Sequence, residues 1–159
     1  MALRTVRIVN DDILHKVSRP VVQVNDKTRQ LLDDMLETMY HAGGVGLAAV
    51  QIGVLRRLLV IDISDNGDKP YEFINPEVIS HKGSQTGWEG CLSIPSQSGL
   101  VTRPATTVVR ALDRFGQPFE IRCEGQLAVV LNHELDHLDG IVYTQKATEI
   151  RQQGEEDED

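Results

Sequence analysis

Residues 133–143 read HELDHLDGIVY, and no other stretch limits the possible folds so much. His133 and His137 stand four apart, so in a helix their imidazoles lie one turn apart on one face. With Glu134 after the first, this is the H-E-x-x-H arrangement: two metal ligands, and a glutamate placed to handle the proton of a water that the metal activates. The chain must therefore build a helix around a buried ion site and bring a further ligand to it, because catalytic sites usually have three protein ligands and one open position. Metzincin peptidases take their third histidine from the same stretch, in H-E-x-x-H-x-x-G-x-x-H. Here Gly140 falls where that glycine should, but Tyr143 stands in place of the histidine.

The remaining candidates are few. His15, His41 and His81 lie scattered in polar surroundings and read as surface residues. Cys123 ends an alternating segment and reads as a small buried side chain. Cys91 lies in EGCLSIP, residues 89–95, between a glycine and a run closed by Pro95. Its thiolate is a strong, soft ligand, and two histidines with one cysteine complete a three-ligand site. Two rivals stand beside this. A zinc peptidase cutting internal bonds would need another third ligand, with Glu149 as the candidate. A structural metal site, or none, would make the chain a non-enzyme, but no fourth ligand for a closed site is evident.

With 159 residues, 40% of them hydrophobic, the chain has enough material for one domain with a real core. A net charge of −8 argues against a nucleic-acid-binding surface. The N-terminus has no secretory pattern, and no run approaches the ~18 apolar residues that span a membrane; a cytoplasmic location is the expectation. Two cysteines in a reducing compartment read as free thiols or metal ligands. Asn25 or Asp26 caps a predicted helix to about His41, with Leu32, Met35, Leu36 and Met39 at helical spacing, and Gly43 and Gly44 end it. RRLLVIDIS (56–64) reads as a buried strand, and YEFINPEVIS (71–80) as a strand bent or at an edge because of Pro76. TTVVRAL and PFEIRC flank DRFGQ as a hairpin. A second helix follows, with Leu127, Val130, Leu131, Leu135 and Leu138 inward and Gly140 as its terminator. Helices near both ends of a run of strands predict one α+β domain over residues 1–150. Residues 151–159, ending EEDED, are expected to be an acidic disordered tail.

Three motifs together resemble the peptide deformylase family, in that family's order: GVGLAAVQIG at 44–53, EGCLS at 89–93 and HELDH at 133–137. The similarity runs from the N-terminus to about residue 145. It implies an α+β fold with mixed β-sheets around a central metal-binding helix, plus an N-terminal helix. The implied reaction is removal of the N-formyl group from N-formylmethionyl peptides, with release of formate. The implied ligands are Cys91, His133 and His137; Fe(II) is the implied ion, with zinc, nickel or cobalt as substitutes. Glu134 is the implied proton carrier, and the side-chain amide of Gln51 and the backbone N–H of Leu92 the implied oxyanion donors. Val45, Gly46, Val129 and Val130 are the implied substrate contacts, and Glu89 and Arg103 an implied pair bracing the EGCLS segment. Val50 stands where the family usually has proline or a small residue, and Asn132 where glutamine is common. The end of the chain, KATEIRQQG and acid, replaces a longer C-terminal helix. That puts in doubt any docking on the ribosome, a candidate partner, through a basic helix there.

Overall fold

The computed structural model describes residues 2–152. Its α-helices are α1 (Asp26–His41) and α2 (Gly125–Leu138). A five-stranded sheet has the order β1 (Gly46–Ala48), β2 (Leu58–Ile61), β3 (Tyr71–Lys82), β6 (Thr106–Leu112), β7 (Pro118–Glu124). A three-stranded sheet has the order β4 (Gln85–Cys91), β5 (Ile94–Arg103), β8 (Glu149–Gln152). The α+β class holds, but every strand pair within both sheets is antiparallel rather than mixed. Among the described residues, parallel pairing is confined to an isolated bridge between Arg19 and Arg56.

The large sheet is covered on both faces. Leu59 and Ile61 of β2 join Phe73, Val109, Ala111 and Cys123 against Val130, Leu131, Leu135 and Leu138 of α2. Leu58 and Val60 point the other way, with Leu32, Met35 and Met39 of α1. This explains why β2 reads LLVI without polar alternation: a strand covered on both faces has no wet side. Burying each such side chain contributes about 1.5–3 kcal/mol. α1 begins with a reciprocal cap, Asn25 Oδ1 accepting from the Thr28 amide and the Asn25 amide donating to Thr28 Oγ1. It ends where Gly43 adopts φ +73°. Just past α2 and its cap residue Asp139, Gly140 turns the chain away with φ +77°, and a Cβ there would lie 2.6 Å from the His15 carbonyl oxygen, so no other residue fits.

β3 is not at an edge; it lies between β2 and β6. Pro76, which lacks an amide donor, is absorbed by a register shift between Ile74 and Glu77. Beside it Asn75 has φ +52°, and its side chain bonds both the amide and the carbonyl of Val21, at 2.7 and 2.9 Å. β4 and β5 cover a stretch for which no element is predicted, and Arg151 and Gln152, expected in the tail, belong instead to the small sheet, with Arg151 opposite Ser98 and Gln152 opposite Gln97 in β5. The acidic EEDED run lies outside the described residues.

Candidate active site

α2 packs against the large sheet through Val130, Leu131, Leu135 and Leu138, and a third core cluster joins Leu14, Ile94, Val101, Val142 and Tyr143, with Cys91 packed against it. The helix delivers His133, Glu134 and His137, all buried. The C-terminal end of β4 delivers Cys91. The segment after α1 delivers Val45 and Gly46, and the 3-10 turn Ala49–Ile52 delivers Gln51. The potential ligand atoms of Cys91, His133 and His137 lie within 4.8 Å of one another, the only such group among the described residues. Cys91 Sγ is 3.3 Å from His137 Nε2. Glu149 is exposed on β8, opposite Leu100, and has no place in this group. Tyr143 is buried with its ring stacked on His133, centroids 5.8 Å apart. Cys123 lies in the α2 core and His15, His41 and His81 are exposed, as expected.

A chain of buried charges orients the histidines. His133 Nδ1 lies 2.9 Å from Glu89 Oε1. Arg103 holds Glu89 with two bonds of 2.9 Å, as expected, and also reaches Asp136 Oδ2 at 2.6 Å. With Nδ1 engaged, the other ring nitrogen of His133 is left for the cluster, the usual carboxylate–histidine arrangement of metal sites. Burial works to raise the Glu89 pKa, but the bonds from Arg103 and His133 hold it below the usual carboxylate value. Burial opposes a charge on His133, yet its bonds to Cys91 and Glu89 outweigh this and push it up to about 10. Burial, reinforced by the charges of His133 and Arg103, drives His137 well below its ordinary value, so it stays neutral. Burial pushes Glu134 up to about 7 against the pull of His133.

The donor set fits a divalent cation: one soft sulfur and two imidazoles, with their ligand atoms within 4.8 Å of one another. Cys91, His133 and His137 would hold it.

A cleft of about 600 Å³ opens onto this group. Val45, Gly46, Gln51, Cys91, Leu92, Val129, Val130, His133 and Glu134 all line it, so the candidate residues from the sequence come together. Val130 also packs in the core beneath. β1 and β4, edge strands of different sheets, border the cleft from two sides. Gly46 is a glycine for a local reason: a Cβ there would lie 2.7 Å from Glu134 Oε2 and 2.8 Å from Val130 Cγ1. The Glu134 carboxylate thus sits against bare backbone, and its Oε1 is buried without a partner. Sequence reasoning missed Trp88, Gln85 and Gln126, which extend the wall, and Ser93, which is wholly buried beside Gln51. Trp88 adjoins the EGCLS motif, but nothing in its type marks it as a cleft residue. Arg151 covers its ring at 3.9 Å, a contact only β8 makes possible.

The profile of a family described as polypeptide deformylase matches residues 3–153. A peptide deformylase of Lachnoclostridium phytofermentans is 53% identical over the full length of both chains. One from Acetivibrio thermocellus is 52% identical over 92% of this chain and 84% of its own. The crystal structure of a Legionella pneumophila peptide deformylase superposes with a TM-score of 0.88 at 44% identity, over 92% of this chain and 87% of that one. That of an Ehrlichia chaffeensis peptide deformylase in complex with actinonin gives 0.90 at 36% identity, over 94% and 91%.

Proposed function

The chain belongs to the polypeptide deformylase family, and from that premise we propose that Glu134, Gln51 and the Leu92 amide carry out deformylation in the cleft over Cys91, His133 and His137. The family consists of metal-dependent hydrolases that take the N-formyl group from new polypeptides, leaving formate and a free amine. Cys91, His133 and His137 would hold a divalent cation, which when bound would supply Lewis acidity and lower the pKa of a water from 15.7 to about 7. Glu134 accepts a proton from the attacking water, the new C–O bond forms at the formyl carbon, and its oxygen takes the negative charge. Gln51 Nε2 and the Leu92 N–H donate to that oxygen, each typically worth ~10²–10³ in rate. As the C–N bond breaks, Glu134 returns its proton to the leaving nitrogen.

One observation carries this reading: Glu134 is buried, faces the cleft beside the ligand group, and is lifted to about 7. A carboxylate balanced near neutrality can both take and return a proton, a role worth ~10²–10⁴-fold. The two open strand edges favour a substrate backbone lying extended between β1 and β4, beside Gly46. Val45, Val129 and Val130 would form the apolar wall for the methionine side chain.

Fe(II) is the ion we assign by family, with zinc, nickel or cobalt as replacements. We place the enzyme in the cytoplasm, where its substrates arise; no helix of the described residues is long and apolar enough to cross a membrane. The ribosome stays a candidate partner with no surface assigned to it, since residues 149–152 form a strand rather than a docking helix.

The test uses anaerobically purified, iron-loaded protein and a formyl-Met peptide. Formate release is expected, and Glu134→Gln should keep its metal while losing ~10²–10⁴-fold in turnover. Cleavage of internal bonds without formate would sink the assignment. A near-normal rate in metal-replete Glu134→Gln would remove Glu134 from its role.

A further inference from the structure

A carboxamide has two ends of almost the same shape and opposite hydrogen-bonding character. If Gln51 is to donate to an oxyanion, something must keep its N–H edge toward the cleft. The structure shows both ends engaged. Gln51 Oε1 accepts from the Ala48 amide at 2.9 Å, and Nε2 donates to Ser93 Oγ at 3.0 Å. An amide N–H can only donate, so Ala48 identifies the oxygen end without ambiguity. Nε2 also lies 3.5 Å from Cys91 Sγ, at the wall of the cleft.

Ser93 is wholly buried, so its hydroxyl has no water to turn to. The same stretch of chain ties down both backbones: the Arg7 amide donates to the Gln51 carbonyl at 2.6 Å, and the Val9 amide to the Ser93 carbonyl at 2.7 Å. The distance between the two residues is therefore set independently of the side-chain bond. A hydroxyl at this position meets a carboxamide already brought to it.

We propose that Ser93 is a positioning residue for the reaction, accepting from Gln51 Nε2 and so holding the carboxamide with its N–H edge toward the reacting carbonyl. This rests on Gln51 acting as an oxyanion donor. Ser93 touches neither the substrate nor a reacting atom; its effect passes through Gln51. Without the hydroxyl, the amide would keep the Ala48 bond and the longer contact to Cys91 Sγ but lose its short bond at Nε2, and a donor that must reorganise stabilises the developing charge less. The loss belongs to the transition state, so it should appear in kcat rather than KM.

The experiment is a double-mutant cycle on cobalt-loaded enzyme: wild type, Gln51→Ala, Ser93→Ala and the double variant. It measures kcat, KM, metal content and the cobalt absorption spectrum. Gln51→Ala is expected to lower kcat ~10²–10³-fold, and Ser93→Ala about 10-fold with KM within about two-fold, a loosened donor losing less than an absent one. Metal content and spectrum should match wild type, and Ser93→Ala should have no further effect once Gln51 is alanine. Equal losses from Ser93→Ala in both backgrounds, or loss of metal, would overturn the proposal. So would a wild-type kcat in Ser93→Ala when Gln51→Ala is impaired, and the donor role of Gln51 would then stand. A wild-type kcat in Gln51→Ala would instead remove the donor role and the proposal with it. If Ser93→Ala does not fold, Ser93→Cys, close in size and a weak acceptor, is read by the same criteria.

Discussion

Cys91 and Cys123 are the same residue in opposite surroundings, and their chemistry should diverge accordingly. Cys91 lies at the cleft beside His137. Cys123 is sealed among aliphatic side chains, where burial pushes its thiol up to about 11. We predict that Cys91→Ser lowers metal affinity and formate release steeply, because a serine hydroxyl is a harder ligand and costly to ionise. Cys123→Ala should leave both intact and cost on the order of 1 kcal/mol of stability, about one buried methylene. Metal analysis and formate assay of the two variants decide this, and full occupancy with full activity in Cys91→Ser would exclude the cysteine as a ligand. The two residues could be told apart in the sequence only by neighbours: a glycine-flanked motif for Cys91, an alternating strand for Cys123. Ser93, in the same motif, gave no such signal, because a hydroxyl becomes informative only when its partner is known.

At the scale of elements, β8 is the segment whose removal should reach the active-site cleft. It pairs with β5 through Gln97, Ser98, Gly99 and Leu100, and carries Arg151 onto Trp88 of the cleft wall. Gly99 in turn packs on Tyr143, whose ring stacks on His133. Truncation after Gln152 is predicted to leave thermal stability near that of the full chain, since EEDED is too polar to bury. Truncation after Thr148 removes the strand and should lower the melting temperature by several degrees, each kcal/mol being worth about 2–4 °C at this size. Equal melting temperatures for the two truncated proteins would show that the strand does not stabilise the domain. β4, β5 and β8 were missed because QTGWEGC, IPSQSGLVTR and EIRQ mix glycine, proline and polar residues on a partly exposed sheet. Strands of that kind lack period-2 alternation. β2, by contrast, showed its burial directly.

Across the whole molecule, the N-terminal stretch straps distant parts together. The Ala2 amide and Arg4 both reach Asp34 in α1, while Arg7 and Val9 bind Gln51 and Ser93. Burial works to raise the Asp34 pKa, but hydrogen bonds from Gln30, Arg4 and Ala2 hold it below 3.8. A carboxyl depressed on folding stabilises the native state fully above its unfolded pKa, and that contribution disappears as pH falls through the lower folded value. Asp34→Asn is therefore predicted to cost about 1–2 kcal/mol at pH 7, a modest figure because Arg4 is 40% exposed. The deficit should shrink below about pH 4 and vanish once Asp34 is protonated. Urea melts of both proteins across that range test it, and a deficit independent of pH would rule out the charge as its source.

The sequence alone determined what depends on local spacing. HELDH sets two imidazoles one turn apart on one helix face, with a carboxylate next to the first, wherever that helix lies, and a cap at Asn25 or Asp26 with the Leu32–Met35–Leu36–Met39 stripe marks α1 without outside help. The three motifs in order were enough for the family. Tertiary structure decided whatever needs two distant segments to meet: the bond from Gln51 to Ser93 across 42 positions, the Arg103 bridge from Glu89 to Asp136, the strand β8, and the 2.7 Å that leaves Gly46 no room for a Cβ beside Glu134. The physical reason is range. Helical periodicity and caps act over three or four residues, whereas a cleft is made of side chains whose proximity is set by the packing of whole sheets against a helix, and no residue carries that distance in its own chemistry.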